Sequence, residues 1–299
     1  MKIIANLSLT LATLWLLPSG ALRAQSQQAK EQISKEFTVA GDASRQVLAL
    51  YNIFGSVAVQ GYAGNKVTLE ITKTVSAPDG TLLEAGKKEV QLGFIQRNDS
   101  IIVYTSEPRD SRPNRQIRHK GQNFDGNWDK KQPRYHYTID YTVKVPNQMN
   151  LHVSTVNGGQ VNIEDVAGTL HALNVNGGIT IKNAKGATEA RTVNGNVDVS
   201  YARGPAGASS YHTINGKITA TYPADIAANL HFKSFHGELF TDFPKAEVLP
   251  VQVRQNKQTE GGGTEYQITK DTAVRLGKGG PDLRFETLNG DVTIKQQSK

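Results

Sequence analysis

The feature that most constrains this chain is an Asn-Gly pair that recurs at nearly constant spacing in its second half. The pairs begin at Asn157, Asn176, Asn194, Asn215 and Asn289. His236-Gly237 takes the same place once. From the first pair to His236 the steps are 19, 18, 21 and 21 residues, and the last step is 53 residues. A fixed period of about 20 residues indicates a structural unit that stacks on copies of itself.

Apolar and polar residues alternate on both sides of each pair, with the period of a β-strand. Before the pair the apolar positions have the parity of the asparagine, as at Leu170. After it they have the opposite parity, as at Ile179 and Ile181. A straight strand through the pair would turn one half inside out, so the chain must turn or bulge there. Glycine permits a positive φ and asparagine tolerates it, which predicts a left-handed corner. Gly159 is interpreted as an extra, bulged residue in the first copy.

Two arrangements satisfy this pattern. The pairs could close β-hairpins with tight turns, or each unit could form one coil of a β-solenoid with a second corner near Gly168, Gly186 and Gly204. The spacing favours the solenoid, because stacked coils require equal repeats and hairpins do not. Stacking would join the side-chain amides into a column. We interpret that column as a structural ladder rather than a row of ligand-binding groups, and its members are Asn157, Asn176, Asn194, Asn215 and Asn289.

The predicted fold class is therefore all-β: a β-solenoid-like stack of ~20-residue Asn-Gly repeats with an N-terminal β region and one short helix after Asp79. Residues 25–150 form the predicted N-terminal region. Residues 151–299 form the repeat array, with an insertion at 244–282.

Residues 1–24 have the features of a cleavable signal peptide: Lys2, an apolar run over 3–17, and small residues up to Ala24. The run is short for a bilayer crossing, which needs about 20 residues. We therefore expect an exported protein, in the periplasm or outside the cell, with no transmembrane span after cleavage. Cysteine is absent, which excludes disulfides, thiolate metal sites, cysteine nucleophiles and a lipid-modified N-terminal cysteine.

The triplet Val156-Asn157-Gly158 and its repeats, the lead-in strand at 141–146 and a late Gly-Gly-Pro turn resemble a family of exported bacterial proteins. The family is a β-strand-repeat domain of unknown function that carries the label "putative adhesin". The resemblance covers most of residues 33–295. It implies an elongated β-solenoid-like fold and export, and it supplies no catalytic residues.

The positive charge of the chain is concentrated in residues 109–134. The whole chain has 34 Lys and Arg against 27 Asp and Glu, while this segment has eight basic residues and three acidic ones. Arginine and lysine beside aromatic rings suit anionic glycans or phosphates; the alternative is a solvated loop without a ligand. The candidate ligand-binding residues are Arg109, Arg112, Arg115, Arg118, Lys120, Trp128, Lys130, Lys131 and Arg134.

A weaker candidate is a metal site. His152, His171 and Glu189 each lie five residues before an Asn of the repeat, and stacked coils would place them side by side about 4.8 Å apart. Imidazole and carboxylate together suit a divalent metal such as zinc. The alternative is three exposed polar side chains on a β face. The sequence calls for no cofactor.

The sequence thus predicts a non-enzymatic adhesin or envelope binding module. The expected partners are anionic polysaccharide, lipopolysaccharide or another envelope component, and no nucleic acid is expected. A structural scaffold without a specific ligand is the first alternative. A carbohydrate-active enzyme on a β-helix is the second, although the chain lacks the common hydrolase and phosphate-binding motifs.

Overall fold

The computed structural model describes residues 26–113, 133–260 and 263–298. Over these residues the chain is all-β with one α-helix, as the sequence predicts. The helix, α1, spans Gly80–Glu89, and the Asp79 side chain accepts a hydrogen bond from the Leu82 amide at 2.8 Å as its N-cap. None of the described helices is long and apolar enough to cross a bilayer.

The strands of the first half are β1 Gln27–Thr38, β2 Val47–Tyr51, β3 Val57–Tyr62, β4 Lys66–Ala77, β5 Gln91–Gln96, β6 Ser100–Glu107, β7 His136–Pro146, β8 Asn150–Ser154, β9 Val161–Glu164 and β10 Leu170–Leu173. Those of the second half are β11 Ile179–Ala184, β12 Thr188–Arg191, β13 Val197–Tyr201, β14 Ser209–Asn215, β15 Ile218–Tyr222, β16 Ala228–Ser234, β17 Leu239–Thr241, β18 Glu247–Glu260, β19 Gly263–Leu276, β20 Asp282–Asn289 and β21 Val292–Gln296.

The strands form two mixed sheets. Sheet A has the order β1-β4-β7-β3-β9-β11-β13-β15-β21-β17, and sheet B has the order β18-β19-β16-β20-β14-β12-β10-β8-β2-β6-β5. In the middle of each sheet the neighbours are parallel and stay in register, so that Leu151, Leu170 and Thr188 lie in one row. Residues of one parity are buried between the sheets and those of the other face outward, because side chains alternate along a strand.

The spatial order of the strands departs from the chain order at both ends. β20 and β21 lie between β14/β15 and β16/β17, and β2 and β3 lie between β6/β7 and β8/β9. Both sheets therefore continue across the predicted boundary at residue 150. The predicted insertion at 244–282 supplies all of β18 and β19, which extend sheet B beyond β16.

The asparagines of the repeat form a single column at one corner of the stack. Asn176, Asn194 and Asn215 each donate a side-chain hydrogen bond to the preceding asparagine at 2.7–2.8 Å. Asn289 donates to Asn215 across 74 residues of chain, because its strand pair is inserted at that place in the stack. His236 ends the column through Nδ1, which lies 3.0 Å from the Asn289 Oδ1 atom.

The left-handed corner expected from the Asn-Gly pairs occurs in two of the five. Gly158 and Gly290 have φ values of +72° and +151°, whereas Gly177, Gly195 and Gly216 have no positive φ, and no asparagine of the column has one. Glycine is required there for close approach: a Cβ atom on Gly195 would lie 2.2 Å from the carbonyl oxygen of Gly177 in the neighbouring repeat. In the first copy Gly158 is the extra residue, with φ +72°, and Gly159 takes the place in the column.

A second ladder lies inside the corner, two residues before the asparagines. Buried Thr155, Thr192 and Thr213 each donate a hydrogen bond through Oγ1 to a glycine carbonyl of the neighbouring repeat at 2.8 Å. Asn174 fills the same place and donates to Gly159 O at 3.0 Å. These bonds satisfy corner carbonyls that would otherwise be buried without a donor.

Candidate functional site

The outward side of sheet B carries a group of interacting histidine, aromatic and charged side chains. Four of the seven histidines project from it: His152, His171, His212 and His231. They lie on β8, β10, β14 and β16, at positions whose neighbours in sequence are buried. We call this outward side of β2, β6, β8, β10, β12, β14, β20 and β16 the histidine face.

One end of the histidine face is aromatic. Tyr104 and Tyr51 are register partners on β6 and β2, and Tyr51 packs against His152 with ring centroids 5.3 Å apart. The Arg112 guanidinium lies 4.0 Å from the centroid of the Tyr104 ring, and its NH2 group pairs with Asp110 at 2.5 Å. The guanidinium therefore sits as a cation over an aromatic ring at the point where the basic segment leaves the sheet.

In the middle of the face histidines and a carboxylate interact across adjacent strands. The rings of His152 and His171 stack at 5.9 Å with an interplanar angle of 25°. His171 Nδ1 lies 3.1 Å from Glu189 Oε2, and Arg191 approaches the other oxygen of Glu189 at 3.7 Å. Register pairing on parallel strands puts these side chains next to each other.

The other end of the face carries two more histidine–carboxylate pairs. His231 Nε2 lies 3.1 Å from Asp282, and His212 Nδ1 lies 3.6 Å from Glu286. Glu286 also accepts a hydrogen bond from Lys233 at 2.7 Å. That bond holds the pKa of the Glu286 carboxyl below its ordinary value, and burial lowers the pKa of His212.

These two shifts predict that acid weakens the fold through the His212–Glu286 pair. Because the pKa of His212 is lowered, its contribution to the free energy of unfolding is present above the ordinary histidine pKa, about 6.5, and is lost as the pH falls. The lowered pKa of Glu286 gives the same sign in the carboxylate range. We expect the thermal midpoint to fall on acidification from about pH 7 to about pH 4, and to fall less steeply in a His212→Gln, Glu286→Gln double variant. Equal slopes for the two proteins would contradict this assignment.

A shallow pocket of about 310 Å³ opens on the histidine face. The lining residues are Thr169, His171, Ala187, Thr188, Glu189, Ala208, Ser209, Ser210, Asp282 and Arg284. The pocket thus combines carboxylates, hydroxyls, an imidazole and a guanidinium, which are groups that bind hydroxylated or anionic ligands.

The three residues of the predicted metal site do lie side by side, but they interact with each other. His152 stacks on His171, and His171 bonds to Glu189. Over the described ranges, no group of three or more His, Asp or Glu side chains is arranged to hold a metal ion.

Of the predicted basic ligand-binding residues, Arg109, Arg112 and Arg134 lie in the described residues. Of these three, Arg112 is the one that its contact with Tyr104 places on the histidine face. Arg115, Arg118, Lys120, Trp128, Lys130 and Lys131 lie outside the described residues. Sequence reasoning missed Tyr51, Tyr104, Glu286 and Lys233. The alternation of apolar and polar residues shows that these side chains face outward. It does not show which of them are neighbours, because the paired strands are distant in the chain.

No family profile and no curated protein matches the chain. Solved structures of low similarity do. A "putative cell adhesion protein" from Clostridium sporogenes is 11% identical with a TM-score of 0.46, covering 90% of this chain and 100% of that one. A "putative adhesin" from Bacteroides fragilis is 10% identical with a TM-score of 0.35, covering 90% and 98%. A "putative lipid binding protein" from Parabacteroides distasonis is 10% identical with a TM-score of 0.32, covering 89% and 97%.

Proposed function

We propose that this chain is an exported, non-enzymatic binding module of the adhesin type, and that the histidine face is its contact surface for anionic polysaccharide. In this proposal residues 1–24 direct export and are removed. The two sheets form a β-solenoid whose coils repeat the face along its length.

The observation that carries the proposal is a row of outward side chains across sheet B, most of which contact a neighbour in the row. It begins with Arg112 over Tyr104, continues through Tyr51, His152 and His171, and reaches the carboxylate pairs on the later strands. Parallel strands in register repeat every 4.8 Å or so, which suits a linear polymer lying across the strands. Aromatic rings stack on sugar or other flat apolar faces. Histidine and arginine bind acidic groups, and carboxylates accept hydrogen bonds from hydroxyl groups.

The basic segment 109–134 adds to this proposal through its position. Arg112, which belongs to this segment, lies on the aromatic end of the histidine face. A segment with eight basic and three acidic residues attracts an acidic polymer over several ångströms and so increases its encounter rate with the face. The attraction between such charges weakens as salt screens them.

The proposal is tested by measuring binding of the chain to acidic polysaccharides, their neutral counterparts and lipopolysaccharide at low and high salt. We expect binding to the acidic polymers that weakens with salt and falls at least about tenfold in a Tyr51→Ser, Tyr104→Ser double variant. The matched control is Thr180→Ala, Thr219→Ala, which alters two outward positions of sheet A. If the sheet A variant loses binding and the sheet B variant keeps it, the histidine face is not the contact surface. If no polymer binds, a scaffold without a specific ligand is the better account.

A further inference from the structure

Among the charged side chains that line the pocket on the histidine face, Arg284 differs from the others in its contacts. His171 pairs with Glu189, and Asp282 pairs with His231. Arg284 lines the same pocket and is exposed, yet it has no ion-pair or hydrogen-bond partner among the described residues. The lining thus holds two histidine–carboxylate contacts and one guanidinium without a partner among the described residues.

From this arrangement we propose that the pocket is a subsite for one sugar residue that carries a single anionic group, with Arg284 as the residue that binds that group. The inference rests on the proposed function and names the chemical class of the unit that is bound. A guanidinium presents two parallel N–H donors and so binds a carboxylate, sulfate or phosphate oxygen pair with defined geometry.

The neighbours of Arg284 supply the remaining contacts that a sugar needs. Arg284 lies between Ser210 on β14 and His231 on β16 in the register of sheet B. Ser210 also lines the pocket, and so does Asp282, two residues before Arg284. A hydroxyl both donates and accepts, and a carboxylate accepts from sugar hydroxyls. The volume of about 310 Å³ lies at the lower end of ordinary ligand sites, which suits a single ring rather than a branched oligosaccharide.

The two carboxylates of the pocket make the site selective. Glu189 and Asp282, which lie 3.1 Å from His171 and His231, repel a second negative group on the ligand. A sugar residue whose single acidic group binds to Arg284 places no negative charge against either carboxylate. A doubly charged residue would bring its second group against one of them, which costs binding energy.

The test is calorimetric binding of the full chain to short oligosaccharides of galacturonate, glucuronate and mannuronate, and to the neutral oligosaccharides obtained by reducing their carboxyl groups. Sulfated and phosphorylated oligosaccharides of the same length distinguish the three anionic groups. We expect at least one acidic oligosaccharide to bind at least about tenfold more tightly than its neutral counterpart. Arg284→Gln should remove that difference, and Arg284→Lys should restore only part of it.

The matched control is Arg203→Gln, which removes the same charge from an exposed position between β13 and β14. It should leave the preference for the acidic oligosaccharide unchanged. If acidic and neutral oligosaccharides bind equally and Arg284→Gln changes neither, the subsite is refuted while the proposed function stands. If Arg203→Gln lowers binding as much as Arg284→Gln, only net charge matters and the subsite is likewise refuted. If no saccharide binds the unaltered chain, the proposed function fails as well.

Discussion

Replacing Gly195 with alanine is expected to destabilise the fold by at least about 3 kcal/mol, or to prevent folding. The added Cβ would lie 2.2 Å from the carbonyl oxygen and 2.5 Å from the carbonyl carbon of Gly177. Both are backbone atoms held by the parallel pairing of strands in neighbouring repeats, so relief requires that the two repeats move apart. The loss should appear in the free energy of unfolding measured by chemical denaturation.

Gly207→Ala is the matched control for this steric account. A Cβ there would meet only the Cβ of Ala187, at 3.6 Å, which is an ordinary contact. Neither glycine has a positive φ, so the backbone of each tolerates alanine. We expect Gly207→Ala to change the free energy of unfolding by less than about 1 kcal/mol, in either direction. Equal effects of the two substitutions would show that close approach of neighbouring repeats is not the reason for the glycines at the corner.

Replacing Thr213 with valine is expected to cost about 1–3 kcal/mol in the free energy of unfolding. The two side chains have similar shape, but valine cannot donate the 2.8 Å hydrogen bond that Thr213 Oγ1 makes to the Gly195 carbonyl. Thr213 is fully buried, so water cannot easily replace that donor. The substitution therefore leaves a carbonyl oxygen inside the corner without its partner.

Two further variants isolate the hydrogen bond in that experiment. Thr213→Ser keeps the hydroxyl and should recover most of the stability that valine loses. Thr219→Val makes the same change on β15, at a partly exposed outward position of sheet A, and should change the free energy by no more than about 0.5 kcal/mol. A Thr213→Val protein as stable as the unaltered chain would exclude a structural role for the inner ladder.

Local patterns predicted the elements of this fold well. Alternation identified which residues of the repeat are buried, as with Leu170 and Ile179, and Asp79 marked the start of the helix. Near-constant spacing predicted the column that Asn176 and Asn194 share. These features depend on residues close together in sequence, or on repeats of equal length.

The order of strands at the two ends could not be predicted in this way. The pairing of β20 with both β14 and β16 depends on contacts across more than 50 residues. For the same reason the sequence did not bring Glu286 next to Lys233, or Tyr51 next to Tyr104. The sequence also did not show that the corner glycines permit close approach, because this need arises only when another repeat lies against them.

The most direct test of the account is a nuclear magnetic resonance titration of the histidine ring signals with an acidic oligosaccharide that the chain binds. His152, His171, His212 and His231 lie on the histidine face, while His136 lies on β7 in sheet A and His236 at the asparagine corner. The account predicts saturable shifts at His171 and at its neighbours on the face, with His136 and His236 unchanged. Binding that shifts His136 or His236 and leaves the four face histidines unchanged would contradict it.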